Sequence, residues 1–436
     1  MALVLFWAFV AINYYPPAYV KASSSDNSLP NIKDPNFKAE LVAKGLKHPT
    51  SMAFLVPNDI LVLEKDSGKV NRIVNGVMLK EPLFDVNVAN KDERGMLGIA
   101  VAPKHDNNNT MYVFLYYTES GGGRDGDDSI AAREPFGNRL YRFELENNKL
   151  VNPKLLLNLP STPNEFHNGG KIIVGPDKNI YLVTGDGNHN TTAQNLENGS
   201  AADGTSGILR ITQDGQPVKQ KNGTIGILGD KFPLDLYYAY GIRNSFGIDF
   251  DPVAGKLWDT ENGPEYGDEI NLVEPGFNSG FKKVQGIWPV YNYTNTKYGI
   301  GYLGTDVVLH HPNNLVDFNG KGKYSPPEFI WNQSVGPSDL KFFNSDKYGK
   351  KYENRVFVGD CYGRLYVFEL NKDRTGLLFH NPLLSDKIAN NPKELQKVLF
   401  GERFGGITDL EVGPDGYLYV VSIWKGKLFR IIPEQK

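Results

Sequence analysis

A histidine and an aspartate flank one predicted β-hairpin in the stretch FHNGGKIIVGPDKNIYLVTGDGN, residues 166–188. His167 stands before the first strand and Asp186 follows the second, so the hairpin returns both to the same end of the strand pair. A histidine among small residues can act as a general base near neutral pH, and a nearby carboxylate orients its ring. The alternatives are a loop histidine that caps a turn and an ordinary Asp-Gly turn. The spacing makes His167 and Asp186 candidate catalytic residues.

A second candidate segment is YGIRNSFGIDFDP, in which Arg243 and Asn244 precede another predicted strand. A guanidinium and an amide together suit an anionic or carbonyl-rich ligand. A structural arginine that pairs with a neighbouring loop is an equally good interpretation of this segment.

A third segment, TENGPEYGDEINLVEPGFNSGF, contains Gly263 and Pro264 followed by Glu265, Asp268 and Glu269. The carbonyls of a Gly-Pro kink and nearby carboxylates are hard oxygen ligands of the kind that calcium prefers. The alternative is a solvated acidic loop.

A recurring pattern indicates the elements that must position these residues. A loop with Pro, Asp or Asn, an apolar or aromatic strand, a polar turn and another strand occur together six times. The copies are Val56–Ile73, Ala102–Thr118, Val174–Asp186, Phe250–Gly263, Tyr352–Leu370 and Val412–Ile432. Six such repeats predict an all-β fold, a six-bladed β-propeller of four-stranded antiparallel blades, with two stacked β-sandwiches as the alternative. In a propeller, loops from all the blades converge at one end of the central channel, where ligands bind.

The bulk composition agrees with a strand-rich chain and excludes several classes of function. The 436 residues include 46 Gly, 27 Pro, 23 Tyr and 24 Phe, a turn-rich and aromatic-rich set. A net charge of -3 argues against a nucleic-acid partner. The single cysteine, Cys361, excludes an intramolecular disulfide and a thiolate metal cluster.

The N-terminal residues predict export. Residues 1–22 contain a short apolar run and a small-residue cleavage site, so we interpret them as a signal peptide or N-terminal anchor, with a buried strand as the remaining alternative. Residues 23–36 are predicted to be a linker and residues 37–436 the propeller domain. Six Asn-x-Ser/Thr sequons are compatible with an extracellular, periplasmic or cell-surface location.

The order of these motifs resembles the glucose/sorbosone dehydrogenase family. HNGG, GPD and GD are followed by GIRNSFG and ENGPEYGDEINLVEPGFNSG, and the upstream block DERGMLGIAVAP, residues 92–103, is also similar. The resemblance extends from about Phe37 to Ile432. It implies a six-bladed propeller and the activity of soluble PQQ-dependent glucose and aldose sugar dehydrogenases.

The resemblance also implies roles for individual residues. It assigns His167 as the base for the sugar's anomeric hydroxyl and Asp186 as its partner, and places Arg243 and Asn244 against the quinone carbonyls. It implies two calcium sites, whose ligands would be the carbonyls of Gly263 and Pro264, and Glu269 with the Ser279 backbone. The implied reaction is hydride transfer from C1 of an aldose to PQQ, which gives a lactone and a reduced cofactor for an external electron acceptor.

The chain departs from the family at three cofactor-binding positions. Glu93 replaces an amide, Tyr362 replaces a lysine, and Thr408 lies in the run Gly406-Ile407-Thr408-Asp409, which lacks two arginines. In the family, the lysine and the two arginines neutralise the carboxylates of PQQ. The residues of this chain that could substitute for them are Arg403, Arg364, Lys341 and Lys425. The departures keep two other functions open, a non-catalytic surface propeller that binds a protein or glycan and a calcium-dependent, lactonase-like hydrolase.

Overall fold

The computed structural model describes residues 28–104, 110–162, 165–187, 194–197, 199–263, 267–280 and 315–434. The chain is all-β with a β-propeller arrangement, and the described part forms six sheets. Within it, helix is confined to α1 (Asp127–Ile130), a 3₁₀ turn (Pro382–Leu384) and α2 (Pro392–Leu395). None of its helices is long and apolar enough to cross a membrane.

The four main strands of each of the first three sheets follow one another along the chain. Sheet 1 contains β3 (Pro49–Val56), β4 (Asp59–Glu64), β5 (Lys69–Val74), β6 (Val77–Met78) and β7 (Phe84–Asp85). Sheet 2 contains β8 (Met96–Pro103), β9 (Met111–Glu119), β10 (Gly137–Glu146) and β11 (Lys149–Leu159). Sheet 3 contains β12 (Ile172–Val174), β13 (Ile180–Thr184), β14 (Gly207–Ile211), β15 (Tyr237–Tyr240), β19 (Phe277–Asn278) and β20 (Lys323–Tyr324).

The strands of the other three sheets are not all consecutive in the chain, and sheets 5 and 6 each include one strand from its N-terminal part. Sheet 4 contains β16 (Gly247–Phe250), β17 (Leu257–Glu261), β18 (Asp268–Val273), β21 (Phe329–Trp331) and β26 (Ile388–Ala389). Sheet 5 contains β22 (Pro337–Phe342), β23 (Val356–Asp360), β24 (Leu365–Leu370), β25 (Leu377–Leu378), β27 (Leu399–Glu402) and β1 (Asn31–Ile32). Sheet 6 contains β28 (Ile407–Val412), β29 (Leu418–Ser422), β30 (Lys427–Pro433) and β2 (Phe37–Lys44).

Every sheet is built on an antiparallel run of four strands. Sheets 2 and 6 have only these four, and the others carry one or two additional strands of two residues each. The added strand β1, Asn31–Ile32, falls in the segment that the sequence predicts to be a linker and pairs with Gly401 and Glu402. Each predicted repeat lies in a different sheet, and five of the six cover the turn between the first two strands, whereas Tyr352–Leu370 covers the turn between β23 and β24. The turn chemistry of Pro, Asp, Asn and Gly therefore locates one hairpin in each sheet.

Apolar side chains fill the space between each sheet and the next. Six clusters lie between sheets 1 and 2, 2 and 3, 3 and 4, 4 and 5, 5 and 6, and 6 and 1. The innermost strands β3, β8, β12, β16, β22 and β28 contact one another in the same order, and β28 contacts β3. Pairing of β2 with β30 joins the N-terminal and C-terminal strands within sheet 6. The first strands of all six sheets therefore surround one central channel.

Candidate active site

A cavity of about 370 Å³ lies where the inner strands meet. Residues from all six sheets line it: His48, Thr50, Ser51, Lys65, Asp66, Asp92, Glu93, Leu97, Gly169, Lys171, Phe246, Ser338, Cys361, Ile407, Thr408, Ile423 and Trp424. A concave site at which several sheets converge is the usual location of a ligand in this architecture.

The predicted hairpin brings His167 and Asp186 together beside this cavity. Strands β12 and β13 pair antiparallel, and His167 Nδ1 lies 2.5 Å from Asp186 Oδ1. The two side chains are 7% and 2% exposed. His167 has a left-handed φ of 60°, and a Cβ at Gly185 would lie 2.3 Å from the His167 carbonyl oxygen, so only glycine fits there. The prediction that the hairpin returns both residues to one end is confirmed.

Glu93 connects this pair to the Arg-Asn segment. Its carboxylate lines the cavity and accepts hydrogen bonds from the His167 backbone N–H at 2.7 Å and from the Asn244 side-chain amide at 3.3 Å. Burial raises the pKa of Glu93 above its usual range, and the hydrogen bonds and the nearby His167 only partly oppose this effect. The Asp186 backbone N–H also donates to the Arg243 carbonyl at 2.8 Å. The structure therefore brings five predicted residues together.

Arg243 is held by carbonyl oxygens of the predicted calcium loop. Its Nη1 donates to the carbonyls of Asn262 at 3.0 Å and Gly263 at 3.1 Å, and its backbone N–H donates to Glu261 at 2.6 Å. Burial lowers the pKa of the guanidinium, although the carboxylates of Asp186, Glu93 and Glu261 act in the opposite direction. Among the described residues, Arg243 Nε and the Asn244 side-chain oxygen are buried without a hydrogen-bond partner. These two atoms are suited to contact a bound ligand.

A group of carboxylates lies on one face of the hairpin formed by β17 and β18. Glu261 is directly opposite Glu269, and Asp259 is opposite Asn271. Burial and the charges of Glu261 and Asp259 raise the pKa of Glu269 well above its ordinary value, and burial raises the pKa of Asp259 to about 7. The sequence analysis missed Asp259 and Glu261. Alternate residues of a strand share one face, so the runs DTE (259–261) and EIN (269–271) place Asp259, Glu261, Glu269 and Asn271 on the same face of the sheet.

The predicted metal ligands are only partly described. Pro264 and Glu265 lie outside the described residues, and Gly263 follows the hairpin strand β17. Glu269 Oε2 is buried without a hydrogen-bond partner in the described part of the chain. The Ser279 backbone N–H donates to the Tyr240 carbonyl at 3.1 Å. In the described ranges, no three His, Cys, Asp or Glu side chains are grouped to hold a metal ion.

Thr408 and Tyr362, which stand where the family has cations, differ in their position relative to the cavity. Thr408 lines the cavity, and its hydroxyl donates to the Pro49 carbonyl at 2.9 Å. Tyr362 is 41% exposed, is not among the residues that line the cavity, and packs under the Arg364 guanidinium. The four predicted substitutes also lie away from the lining and contact other groups: Arg364 with Asp360, Lys341 with Glu411, and Lys425 and Arg403 with Ser28.

A buried ionic network below the cavity was not predicted from the sequence. Lys171 lines the cavity, and its Nζ contacts Asp409, Asp339 at 3.0 Å and Glu411 at 3.3 Å. Lys341 contacts the other Glu411 oxygen at 2.9 Å. Burial alone would lower the pKa of Lys171, but the three carboxylates raise it well above its ordinary value.

Comparison with known proteins identifies the family to which the chain belongs. The sequence profile described as glucose/sorbosone dehydrogenase matches residues 46–430. The chain belongs to this family. Over 402 residues it is 26% identical to an aldose sugar dehydrogenase of Escherichia coli, covering 90% of this chain and 92% of that protein. Over 314 residues it is 26% identical to quinoprotein glucose dehydrogenase B of Acinetobacter calcoaceticus, covering 68% of this chain and 61% of that protein.

Solved structures of similar proteins share this fold. The PQQ-bound form of an aldose sugar dehydrogenase from Streptomyces coelicolor superimposes with a TM-score of 0.62 at 22% identity, covering 91% of this chain and 98% of that one. The apo form of the soluble E. coli aldose sugar dehydrogenase gives a TM-score of 0.65 at 21% identity, covering 91% of this chain and all of that one. The family therefore supports an oxidoreductase, and the propeller arrangement is the common scaffold.

Proposed function

We propose that this family member oxidises aldose sugars at C1 to lactones, with PQQ as the hydride acceptor and with calcium. The observation that carries the proposal is the buried His167–Asp186 pair, joined through Glu93 to Asn244 and through its backbone to Arg243. The aldose and glucose dehydrogenases among its relatives support the substrate class. We propose further that each of the six sheets is one propeller blade.

His167 is the residue suited to remove a proton from the sugar's anomeric hydroxyl. Its Nδ1–H donates to the Asp186 carboxylate, which leaves Nε2 as the nitrogen that can accept a proton. The carboxylate then stabilises the imidazolium that results. Burial of both side chains excludes competing water and strengthens this interaction.

Arg243 and Asn244 fit the carbonyl end of a quinone. The buried, unpartnered Nε of Arg243 can donate to an oxygen on which negative charge develops, and such donors lower the barrier for charge transfer. Glu93 fixes the His167 backbone and the Asn244 amide in one arrangement. When bound, PQQ would accept the hydride from C1, chemistry that protein side chains do not supply.

One feature of the neighbouring hairpin favours calcium. The family resemblance assigns the carbonyls of Gly263 and Pro264 to one ion, and Pro264 lies outside the described residues. Glu269 would bind a second ion together with the Ser279 carbonyl, and its buried Oε2 is unpartnered in the described part of the chain. A cation there would offset the repulsion among Glu269, Glu261 and Asp259.

Export and an external electron acceptor complete the proposal. Oxidation of each sugar leaves a reduced cofactor, which must pass two electrons onward before the next turnover. The N-terminal segment, residues 1–22, lies outside the described residues and supports export only through its sequence. We therefore propose an extracellular, periplasmic or cell-surface enzyme with a small-molecule sugar as substrate.

The test is anaerobic titration of the protein with PQQ, with and without calcium, followed by dye reduction with a panel of aldoses. The expected result is a calcium-dependent change in the PQQ spectrum and sugar-dependent dye reduction. His167→Ala should bind PQQ yet reduce dye slowly, whereas Lys350→Met, on the exposed surface, should match the wild type. The absence of any spectral change in the wild-type protein would overturn the proposal.

A further inference from the structure

The first sheet supplies the positive groups at the cavity wall. The cationic or potentially cationic side chains that line the cavity in the described part of the chain are His48, Lys65 and Lys171. Lys171 is held by three carboxylates and cannot serve an additional anion without leaving them unpaired. His48 and Lys65 are therefore the groups able to face an anionic ligand.

Lys65 is rigidly placed at this wall. Its Nζ donates to Asp66 Oδ1 at 2.7 Å and to the Asn90 carbonyl at 3.0 Å, and its side chain is 15% exposed. A Cβ at Gly95 would lie 2.5 Å from the Lys65 carbonyl oxygen and 2.7 Å from its Cγ, so the glycine leaves room for the lysine stem. A lysine ammonium has three N–H groups, and two are used in these bonds. The third is available to a ligand in the cavity.

His48 lies on the other side of the same carboxylate. Its Nδ1 is 2.5 Å from Asp66 Oδ2, and its ring meets the edge of Trp424 at a centroid distance of 5.8 Å. Burial opposes ionisation of Asp66, but Lys65 and His48 lower the pKa of Asp66 below its ordinary value. The carboxylate therefore fixes Lys65 and His48 against one wall, and in the imidazolium form of His48, in which both ring nitrogens donate, Nε2 is the donor left for a ligand.

We propose that Lys65 and His48 form the subsite for a carboxylate of the quinone cofactor, in place of the cations that are missing at Tyr362 and Thr408. This inference rests on the proposed function. Thr408 and Trp424 line the same cavity, so the subsite lies inside the site already described. The subsite selects a flat, anionic aromatic ligand, because an ammonium and an imidazolium donor fix the carboxylate next to the Trp424 ring.

The test compares the binding of PQQ and of its uncharged trimethyl ester by anaerobic titration, with tryptophan fluorescence and the cofactor spectrum as readouts. Lys65→Met should raise the Kd for PQQ about 10- to 100-fold, the usual effect of losing a charge-assisted hydrogen bond, and leave the Kd for the ester nearly unchanged. His48→Asn, which tolerates the left-handed φ of 44°, should raise the Kd for PQQ by a smaller factor. Lys65→Arg should retain most of the affinity.

Two matched variants separate a charge effect from a general loss of structure. Lys69→Met removes a lysine from the same sheet that is 40% exposed and should leave both Kd values unchanged. Asp66→Asn keeps a side-chain oxygen that can accept from Lys65 or His48 but removes the competing negative charge, so it should lower the Kd for PQQ about tenfold.

Each outcome has a definite meaning. Wild-type binding of PQQ with an unchanged Kd in Lys65→Met would overturn the subsite and leave the proposed function intact. An equal loss for PQQ and for the ester would show a structural role and would also overturn the subsite. Failure of the wild type to bind PQQ would remove both proposals.

Discussion

Replacement of Lys171 by methionine removes the positive charge that three buried carboxylates share. The lysine side chain is 4% exposed, and Asp339 and Asp409 are fully buried. Methionine keeps most of the length and apolar volume of lysine, so packing changes little. The main effect is electrostatic, because the carboxylates lose their common partner while other buried donors still hold them in place.

Breaking a buried ion pair from one side costs about 3–5 kcal/mol. A domain of about 400 residues has an unfolding entropy of roughly 0.8 kcal/mol/K near its melting temperature, so the expected decrease in Tm is about 4–6 °C. Lys350→Met is the matched control, since Lys350 is 90% exposed and pairs only with Glu353, and its Tm should change by less than about 1 °C.

The loss of stability should depend on pH in a definite direction. Without Lys171, the folded-state pKa values of Asp339 and Asp409 rise further above the unfolded values, because burial and mutual repulsion act unopposed. A carboxyl group with a raised folded-state pKa favours the folded state at low pH and loses that contribution as pH rises through the folded-state pKa. The difference in Tm between variant and wild type should therefore be larger at pH 8 than at pH 5.

Differential scanning calorimetry of wild type, Lys171→Met and Lys350→Met at the two pH values provides the measurement. Adding Asp339→Asn to the Lys171→Met variant should recover part of the lost Tm, since one of the stranded charges is then removed. An unchanged Tm for Lys171→Met at pH 8, or a larger loss at pH 5 than at pH 8, would refute the electrostatic account.

Three further predictions concern the site itself. His167→Ala should lower kcat for sugar oxidation by roughly 10²- to 10⁴-fold without weakening PQQ binding, as measured by stopped-flow reduction of the cofactor; a similar loss in binding would contradict a role as base. Glu93→Gln should strengthen PQQ binding by roughly tenfold, because it removes a buried like charge from the site of an anionic cofactor. Burial raises the pKa of Glu93, and the carboxyl repels the cofactor only when it is ionised. The gain in PQQ affinity should therefore be present above that pKa and disappear as the pH falls below it, which PQQ titrations at several pH values can check. Removal of calcium with EGTA should lower the Tm by about 3 °C relative to a calcium concentration 100 times the Kd, and Glu269→Gln should abolish that difference.

The repeating hairpins and the proximity of His167 and Asp186 were predictable because their signals are local. Pro, Asp, Asn and Gly mark each turn, and His167 and Asp186 are separated by one hairpin whose geometry is fixed by its turn. The two-residue strands that extend four of the sheets lack any periodic pattern, so the prediction of uniform four-stranded sheets did not include them.

The ionic network and the placement of Lys341 depend on contacts between different sheets. Lys171 is 168 residues from Asp339 and 238 from Asp409, and no local pattern connects such positions. Lys341 on β22 pairs with Glu411 on the adjacent inner strand β28, whereas Arg364 pairs locally with Asp360, four residues earlier, and neither cation lines the cavity. The acidic face of β17 and β18 could have been predicted from the alternation of acidic residues alone. The sequence analysis instead interpreted this segment from the Gly-Pro kink at Gly263.

Pairing of Phe37–Lys44 with Lys427–Pro433 has a consequence for synthesis of the chain. At about 5–20 residues per second, the ribosome needs roughly 20–80 s to make the intervening chain. During that time the early strand has no partner and exposes an unpaired edge that can associate with other chains. The last sheet therefore cannot be completed until Lys427–Pro433 has been made, and a nascent chain that stops before this strand would remain an open ring that is prone to aggregate.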